Sequence, residues 1–555
     1  MIDPVTQEIL SGAFSSIAEE MAVVEYRSSY SPIIREMLDF SCGVFDAAGR
    51  LIAHSEMIPA QLGLMQSSLQ QGLAKHHRDG LRRGDVMLTN HPYLGGTHTP
   101  DLQVFSPVHA GRTLIGYAGS IAHHIDVGGR VPGTESAENT ELYQEGMLFP
   151  AVLLVERGRR VRPLWQLIEA NVRDPYATLG DLAAQISALR RGEQRLLELA
   201  ERYGVDVLLA GIDGLLEQTS ERARAEFASW PRREVTATGW MYDDGVVRGV
   251  PLEITTRLWT TPEGELHVDL AGSSPQSPGG INVPWASSHA AVYFGVRAFC
   301  GSAVPQNDGL TRHVHLHCEE GGLLRPRFPA AVSTRHIAVQ RLTDVVVEAL
   351  GDLLGARAVA AAHVSFPTFV IQATDPRTGR VTILTDILGG GGGARPGAPG
   401  DAAIDSYTSN CALLPAEIAE LEYPWRIERT ELVDGSGGPG AQPGGAGMLR
   451  DYTLLADEGY GIYYVEQTNP AFAARGRDGG GPGAPGAILL RRAGRDAFEQ
   501  LPGKGEVRMR RGDTLRLLGA GGGGYGLPPT SEHDQRSPPT RSRPRARCGR
   551  NAPGR

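Results

Sequence analysis

Residues 90 to 146 carry two copies of a His-x-x-Asp spacing: His98 with Asp101 in NHPYLGGTHTPD, and His123 with Asp126 in AHHIDVGGRVPG. His124 sits beside the second copy, and Glu145 follows in ELYQEG. Imidazole nitrogen and carboxylate oxygen suit zinc, manganese or iron(II) better than calcium, and no thiolate lies near enough for a structural cysteine-type zinc site. A single such pair is equally a side-chain hydrogen bond at a loop. Two copies brought to one place would make an open divalent centre, able to polarise a carbonyl oxygen or activate water.

The elements between the two copies predict that they do meet. Residues 102 to 108 and 113 to 121 are β-rich runs separated by His109-Ala110-Gly111-Arg112, the pattern of a hairpin. With the bend near Gly111, Asp101 and His123 fall at the same end of the ribbon, on strands roughly 4.8 Å apart. Gly95, Gly96, Gly128 and Gly129 flank the polar residues, where small residues permit positive φ and close backbone approach.

Upstream, Asp3 is an N-cap with Pro4 at the first helical position, followed by an apolar stripe through Val5, Ile9, Ala13, Phe14, Ile17, Met21 and Val24. Phe40–Val44 and Arg50–Ala53 read as a hairpin, and residues 61 to 74 as a second helix. Residues 176 to 229 read as strongly helical; strands return at 235–238, 252–259 and 265–270, and helices at 289–300 and 336–357. The expected class is α+β: a mixed N-terminal part with the metal-site hairpin, a helical middle and a β-rich, glycine-loop C-terminal half. The expected divisions are 1–175, a helical segment 176–230, a β-rich region 231–526 and a disordered Pro/Arg-rich tail 527–555.

The same words carry a family resemblance. GGTHTPD, AHHIDVGGRVPG and QEG resemble the B-type subunit of the hydantoinase, 5-oxoprolinase and acetone carboxylase family, which includes N-methylhydantoinases. DPVTQEIL, LDFSCGVFDAAGRLIAHSEMIPAQLG, GGINVPWASSHAAVY, VPQNDG, LRPRFPAAV, LGGGGGARPG, LEYPWRIERTEL and GDTLRLLGAGGGGYG extend the likeness, in order, over residues 2 to 526. The resemblance implies an ATP-dependent hydrolase of cyclic amides such as hydantoins, 5-oxoproline or lactams. ATP and Mg would be held by an A-type partner subunit of actin-like ATPase fold, in a hetero-oligomer. It further implies His123, Asp126 and Glu145 as direct metal ligands, with His98, Asp101 and His124 as catalytic residues beside them, His98 and Asp101 orienting ligands or facing substrate. Asp39, in a family motif opening the first hairpin, is either substrate-facing or a structural cap. Two alternatives stand beside this reading, a subunit of an ATP-dependent ketone carboxylase and a non-catalytic scaffold for the ATPase.

Composition agrees with a large enzyme subunit. At 555 residues the chain exceeds one compact core, and 41% hydrophobic with 21% charged residues is near the globular average. A net charge of −9 argues against broad nucleic-acid binding, and no apolar run reaches membrane-span length. Five scattered cysteines suit a reducing cytoplasm. Glycine is abundant, 71 residues, in runs at 389–393, 435–447, 479–486 and 519–526 that predict turns and close-packed loops. No Gly-Lys-Ser/Thr follows any of them, so none reads as a phosphate loop. His313, His315 and His317 alternate along one strand face, which reads as a solvated face rather than a metal ladder.

Overall fold

Asp3 opens the first helix, Pro4–Ser28, by accepting hydrogen bonds from the amides of Val5 and Thr6 at 3.1 and 3.0 Å. Leu10, Phe14, Ile17 and Met21 bury its inner face. The computed structural model of the protein describes residues 2–61 and 63–529. Of the tail expected to be disordered, residues 530–555 lie outside the described residues.

That helix covers a seven-stranded sheet of β1 (Phe40–Phe45), β2 (Leu51–His54), β3 (Val86–Thr89), β4 (Asp101–Ala110), β5 (Thr113–His123), β6 (Val152–Glu156) and β7 (Arg159–Arg160), in the order β2-β1-β5-β4-β3-β6-β7. The long hairpin β4–β5 is its centre. Its antiparallel register pairs Asp101 with His123, so both residues stand at one end of the ribbon, as the turn position predicts. Asp39 joins them, because its carbonyl accepts the His123 amide at 3.0 Å where β1 runs alongside β5.

The helical middle is two helices, Pro175–Tyr203 and Val205–Ser229, broken at Gly204. They share one hydrophobic core with the first helix and the first sheet: Leu182, Leu189, Leu208 and Ile212 are buried in the same cluster as Phe14, Met21 and Val104. Downstream, β8 (Val235–Met241), β9 (Leu252–Thr260), β10 (Leu266–Asp269) and β11 (Val314–His317) form a second sheet, with β10 and β11 parallel. Two helices, Trp285–Phe299 and Arg335–Leu354, share its core. At the start of β11 and along it the three histidines are tied down, with Glu265 bonded to His313 at 3.0 Å and His315 at 2.6 Å, and His317 bonded to His267 at 3.0 Å.

The C-terminal half adds two sheets. One is β13 (Val381–Ile387), β12 (Thr368–Thr374), β16 (Glu458–Tyr464) and β19 (Lys504–Arg510), in that order. The other runs β14 (Trp425–Leu432), β15 (Met448–Leu454), β20 (Thr514–Leu518), β17 (Ala487–Arg491) and β18 (Glu499–Gln500). The chain is therefore α+β, as expected. Among the described residues no helix is long and apolar enough to cross a membrane.

The glycine runs pack closely, as expected, but most of them are not turns. They lie side by side and exchange backbone hydrogen bonds: Gly445 donates to Gly392 at 2.9 Å, Gly522 to Gly445 at 3.0 Å, Gly438 to Gly522 at 2.8 Å and Gly524 to Gly481 at 2.9 Å. Here glycine is required by backbone proximity. A Cβ at Gly391 would stand 2.0 Å from the Gly445 carbonyl oxygen.

One buried acid in the N-terminal layer makes stability depend on pH. Glu25 accepts hydrogen bonds from Ser120 Oγ at 3.0 Å and Cys42 Sγ at 3.2 Å, and burial raises its carboxyl to about 8. Because the folded value lies above the ordinary 4.5, the folded state keeps this proton longer than the unfolded chain. Its contribution is full below about pH 4.5 and declines until about pH 8, by up to roughly 1.4 kcal/mol per pH unit. Glu25→Gln is expected to flatten that decline, so that unfolding free energies of variant and wild type diverge between pH 5 and pH 8. Parallel stability curves across that range would refute this.

Candidate metal centre

Asp101, the first residue of β4, sits between two imidazoles. Its Oδ1 lies 3.1 Å from His98 Nε2 and 3.1 Å from His123 Nδ1, while Oδ2 accepts from Arg335 at 2.9 Å and from the Thr97 hydroxyl. All of these side chains are buried, in a cavity of about 50 Å³ also lined by Asp39, Glu135, His336, Gln340 and Tyr464. One donor atom from each of His98, Asp101 and His123 lies within 4.8 Å of the others.

The orientation of His98 comes from far along the chain. Its Nδ1 donates to the Ser333 carbonyl at 2.8 Å and lies 3.1 Å from Glu135 Oε1. Ser333 is held in turn by Glu145, whose Oε1 accepts the Val332 and Ser333 amides at 2.7 and 2.9 Å. Glu135 Oε2 accepts the Tyr464 hydroxyl at 2.7 Å, and His336 Nδ1 stands 4.0 Å from Glu135 Oε1. His98, Glu135 and His336 form a second group with metal-ligating atoms in mutual reach.

Electrostatics reinforce the cluster. Burial opposes a charge on His98, but Asp101 overrides it and raises the imidazole to about 9, despite Arg335 nearby. Burial likewise opposes charge on Asp101, yet His98, His123 and Arg335 hold it well below the usual carboxylate range. Burial lifts Asp39 to about 6 against the pull of His123. Glu135 falls to about 2, because His336 and His98 outweigh its burial.

The donor chemistry fits a divalent ion. Two imidazoles and one carboxylate make the three-ligand set of an open site, and the Ser333 carbonyl fixes the His98 ring through its other nitrogen. Among the described residues, larger clefts of about 690 and 560 Å³ lie elsewhere, but neither includes such a group.

Of the expected metal ligands His123, Asp126 and Glu145, the structure brings only His123 to the cluster. After β5 the chain leaves the sheet, so three residues further on Asp126 turns the other way, where its carboxylate takes Arg173 NH1 at 2.7 Å and the amides of Arg173, Gly128 and Gly133. Gly128 makes that turn possible: its φ is +82°, and a Cβ there would stand 2.2 Å from the Asn171 carbonyl oxygen. Glu145 binds backbone amides, and burial raises it to about 8. His124, expected with the catalytic residues, points into the helical layer, where Nε2 meets Gln185 at 3.1 Å and burial lowers it to about 4. His98 and Asp101, expected to support the site, stand inside it. Glu135, Arg335, His336 and Tyr464 escaped sequence reasoning; the one available signal was Arg335, His336 and Gln340 on a helix that is otherwise largely apolar and buried.

The mixed fold thus closes its central hairpin on a buried cluster of His98, Asp101 and His123. The chain is a member of the hydantoinase B/oxoprolinase family, whose model matches residues 3–528. It is 32% identical over 545 residues to a protein of Pseudomonas sp. (strain NS671) provisionally named as the B subunit of a D-/L-hydantoinase, covering 95% of this chain and 90% of that one. It is 31% identical to 5-oxoprolinase 1 of Arabidopsis thaliana over 94% of this chain, which spans 42% of that longer protein. Among solved structures, the ATP-dependent caprolactamase from Pseudomonas jessenii matches with a TM-score of 0.88 at 27% identity, over 96% of this chain and 93% of that one. A nucleotide-free acetone carboxylase shares the fold, with a TM-score of 0.85 at 15% identity over 94% of this chain and 76% of that one.

Proposed function

We propose that this chain is the metal-bearing B-type subunit of a cytoplasmic, ATP-dependent cyclic-amide hydrolase. An A-type partner subunit holds ATP and Mg. The buried cluster of His98, Asp101 and His123 carries the reading, supported by relatives named as a hydantoinase B subunit, a 5-oxoprolinase and a caprolactamase. The glycine runs agree with the division of labour, since they are packed backbone without a phosphate-loop signature.

His98, Asp101 and His123 would hold a zinc, manganese or iron(II) ion. Such an ion, when bound, lowers the pKa of coordinated water to about 7 and stabilises developing oxyanion charge. The protein's own groups do the rest. Arg335 orients Asp101 by donating to its Oδ2, and the Ser333 carbonyl holds the His98 ring so that Nε2 faces the cluster. Asp39 lines the same cavity, where its carboxylate accepts from Gln61 Nε2 at 3.4 Å. Burial excludes bulk solvent from an activated amide.

The test is reconstitution with the ATPase subunit. ADP release and ring-opened product are expected together from hydantoin, 5-oxoproline or a lactam, with one divalent ion per B chain. Incorporation of labelled bicarbonate would redirect the reading to a carboxylase. A preparation that lacks stoichiometric metal, alone and with the partner, yet turns over normally would overturn it.

A further inference from the structure

The loop that follows β13 reaches back to the metal cavity, where Thr408 and Ser409 form part of the wall. It presses on the segments either side of the first hairpin: the Ala60 amide donates to the Thr408 carbonyl at 2.7 Å, and the Ala412 amide to the Met37 carbonyl at 2.9 Å. Ala403 and Tyr407 hold φ of +52° and +53°, and the Tyr407 hydroxyl pins the loop by donating to Asp344 at 2.6 Å. Such backbone strain costs roughly 1–3 kcal/mol per residue and persists only where the surroundings enforce it.

The strained loop holds a pair. The Ser409 hydroxyl donates to Asp405 Oδ2 at 2.5 Å, and the Cys411 amide donates to the same oxygen at 2.8 Å. Asp405 Oδ1 is buried without a hydrogen-bond partner among the described residues. A brace for the loop would use both oxygens or expose the spare one, since an unmet buried acceptor costs about 1–3 kcal/mol. Burial, with Asp39 adding to it, raises this carboxyl to about 7, so both of its forms are populated near neutral pH. Ionised, Asp405 accepts the serine proton. Protonated, it donates to Ser409 Oγ and leaves the serine hydrogen free to turn toward the cavity.

We propose that Ser409 and Asp405 form a proton relay for ring opening, in which Ser409 protonates the departing ring nitrogen and Asp405 resupplies Ser409. This role rests on the reading of the chain as a cyclic-amide hydrolase. Water adds its oxygen to the carbonyl carbon, and the C–N bond breaks with its electron pair left on nitrogen. That nitrogen takes the Ser409 hydroxyl proton while Ser409 takes the proton of Asp405. The proton shed by the attacking water restores Asp405, so the sum is OH on carbon and H on nitrogen.

The test is steady-state turnover by the metal-loaded complex of this chain with its ATPase partner, on the cyclic amide that the wild type opens fastest. Asp405→Asn keeps an acceptor for Ser409 and for the Cys411 amide but cannot take up or release a proton near neutral pH. It is expected to lower kcat by about 100-fold, within the range a positioned acid contributes, with KM, metal content and Tm at wild-type values. Ser409→Ala should match it, and the double variant should lose little more, because residues that act as one unit are not additive. Ser409→Thr keeps the hydroxyl and should recover most of the rate. An unchanged kcat in Asp405→Asn would reduce the pair to a loop brace and overturn the relay, as would a fall accompanied by lost metal or a lower Tm. Losses that multiply in the double variant would overturn it as well. A wild-type complex that opens no cyclic amide would overturn the hydrolase reading and the relay together.

Discussion

His123→Ala is expected to lose divalent metal binding by more than about 100-fold, beyond what removal of a partner behind a ligand costs. Turnover with the ATPase partner should fall by at least about a thousandfold, on the scale of losing metal activation altogether. His123 ends β5 and donates a single ring nitrogen to the cluster, so its removal leaves no buried charge unpaired: Asp101 keeps His98 and Arg335. The fold should therefore persist. Asp126→Ala is the informative contrast, although it lies only three residues away. It strips Arg173 and three backbone amides of their acceptor, which should cost about 3 kcal/mol of stability, while His98, Asp101 and His123 stay in place. Metal analysis and thermal unfolding of the two variants read this out directly. Stoichiometric metal in His123→Ala, or metal loss at unchanged Tm in Asp126→Ala, would favour the Asp126 ligand set that the family resemblance implies.

A single methyl group in the glycine bundle should be as damaging as the loss of a ligand. At Gly522 a Cβ would stand 1.9 Å from the Gly392 carbonyl oxygen, in a segment that also donates to Gly445 and accepts from Gly438. No rotamer relieves this overlap, because both partners are backbone. Gly522→Ala is expected to cost more than about 4 kcal/mol, the range reserved for disrupted cores, and to reduce the yield of soluble protein sharply. Gly12→Ala provides the control. Gly12 is inside the first helix with nothing within 4 Å of its missing Cβ, so alanine there should stabilise by up to about 1 kcal/mol. Equal melting temperatures for the two variants would show that the bundle tolerates separation.

The parts of this site that were legible in the sequence are those governed by local rules. The bend at Gly111 fixes which residues face one another across β4 and β5, and Asp101 opposite His123 follows from counting. The Asp3-Pro4 start and the hairpin through residues 46–49 are equally local. Spacing carries no direction where it crosses an element boundary. In the first copy, His98 approaches a strand that Asp101 begins; in the second, His123 ends a strand and Asp126 lies in the loop beyond it, so the same three-residue interval points in different directions. Glu135, Arg335, His336 and Tyr464 were out of reach because no periodicity links them; they meet through the packing of separate sheets and a helix. The glycine runs were visible as composition, but backbone-to-backbone proximity between distant runs leaves no local mark.

The His98 ring answers to Ser333, 235 positions later in the chain. A ribosome-bound hairpin thus has its donor atoms long before it has the carbonyl that aims one of them. On the proposed metal-centre reading, ion choice is deferred to the finished fold: the emerging peptide would meet whichever metal is abundant, and the carbonyl that orients His98 arrives only when the second half of the protein has closed over the first.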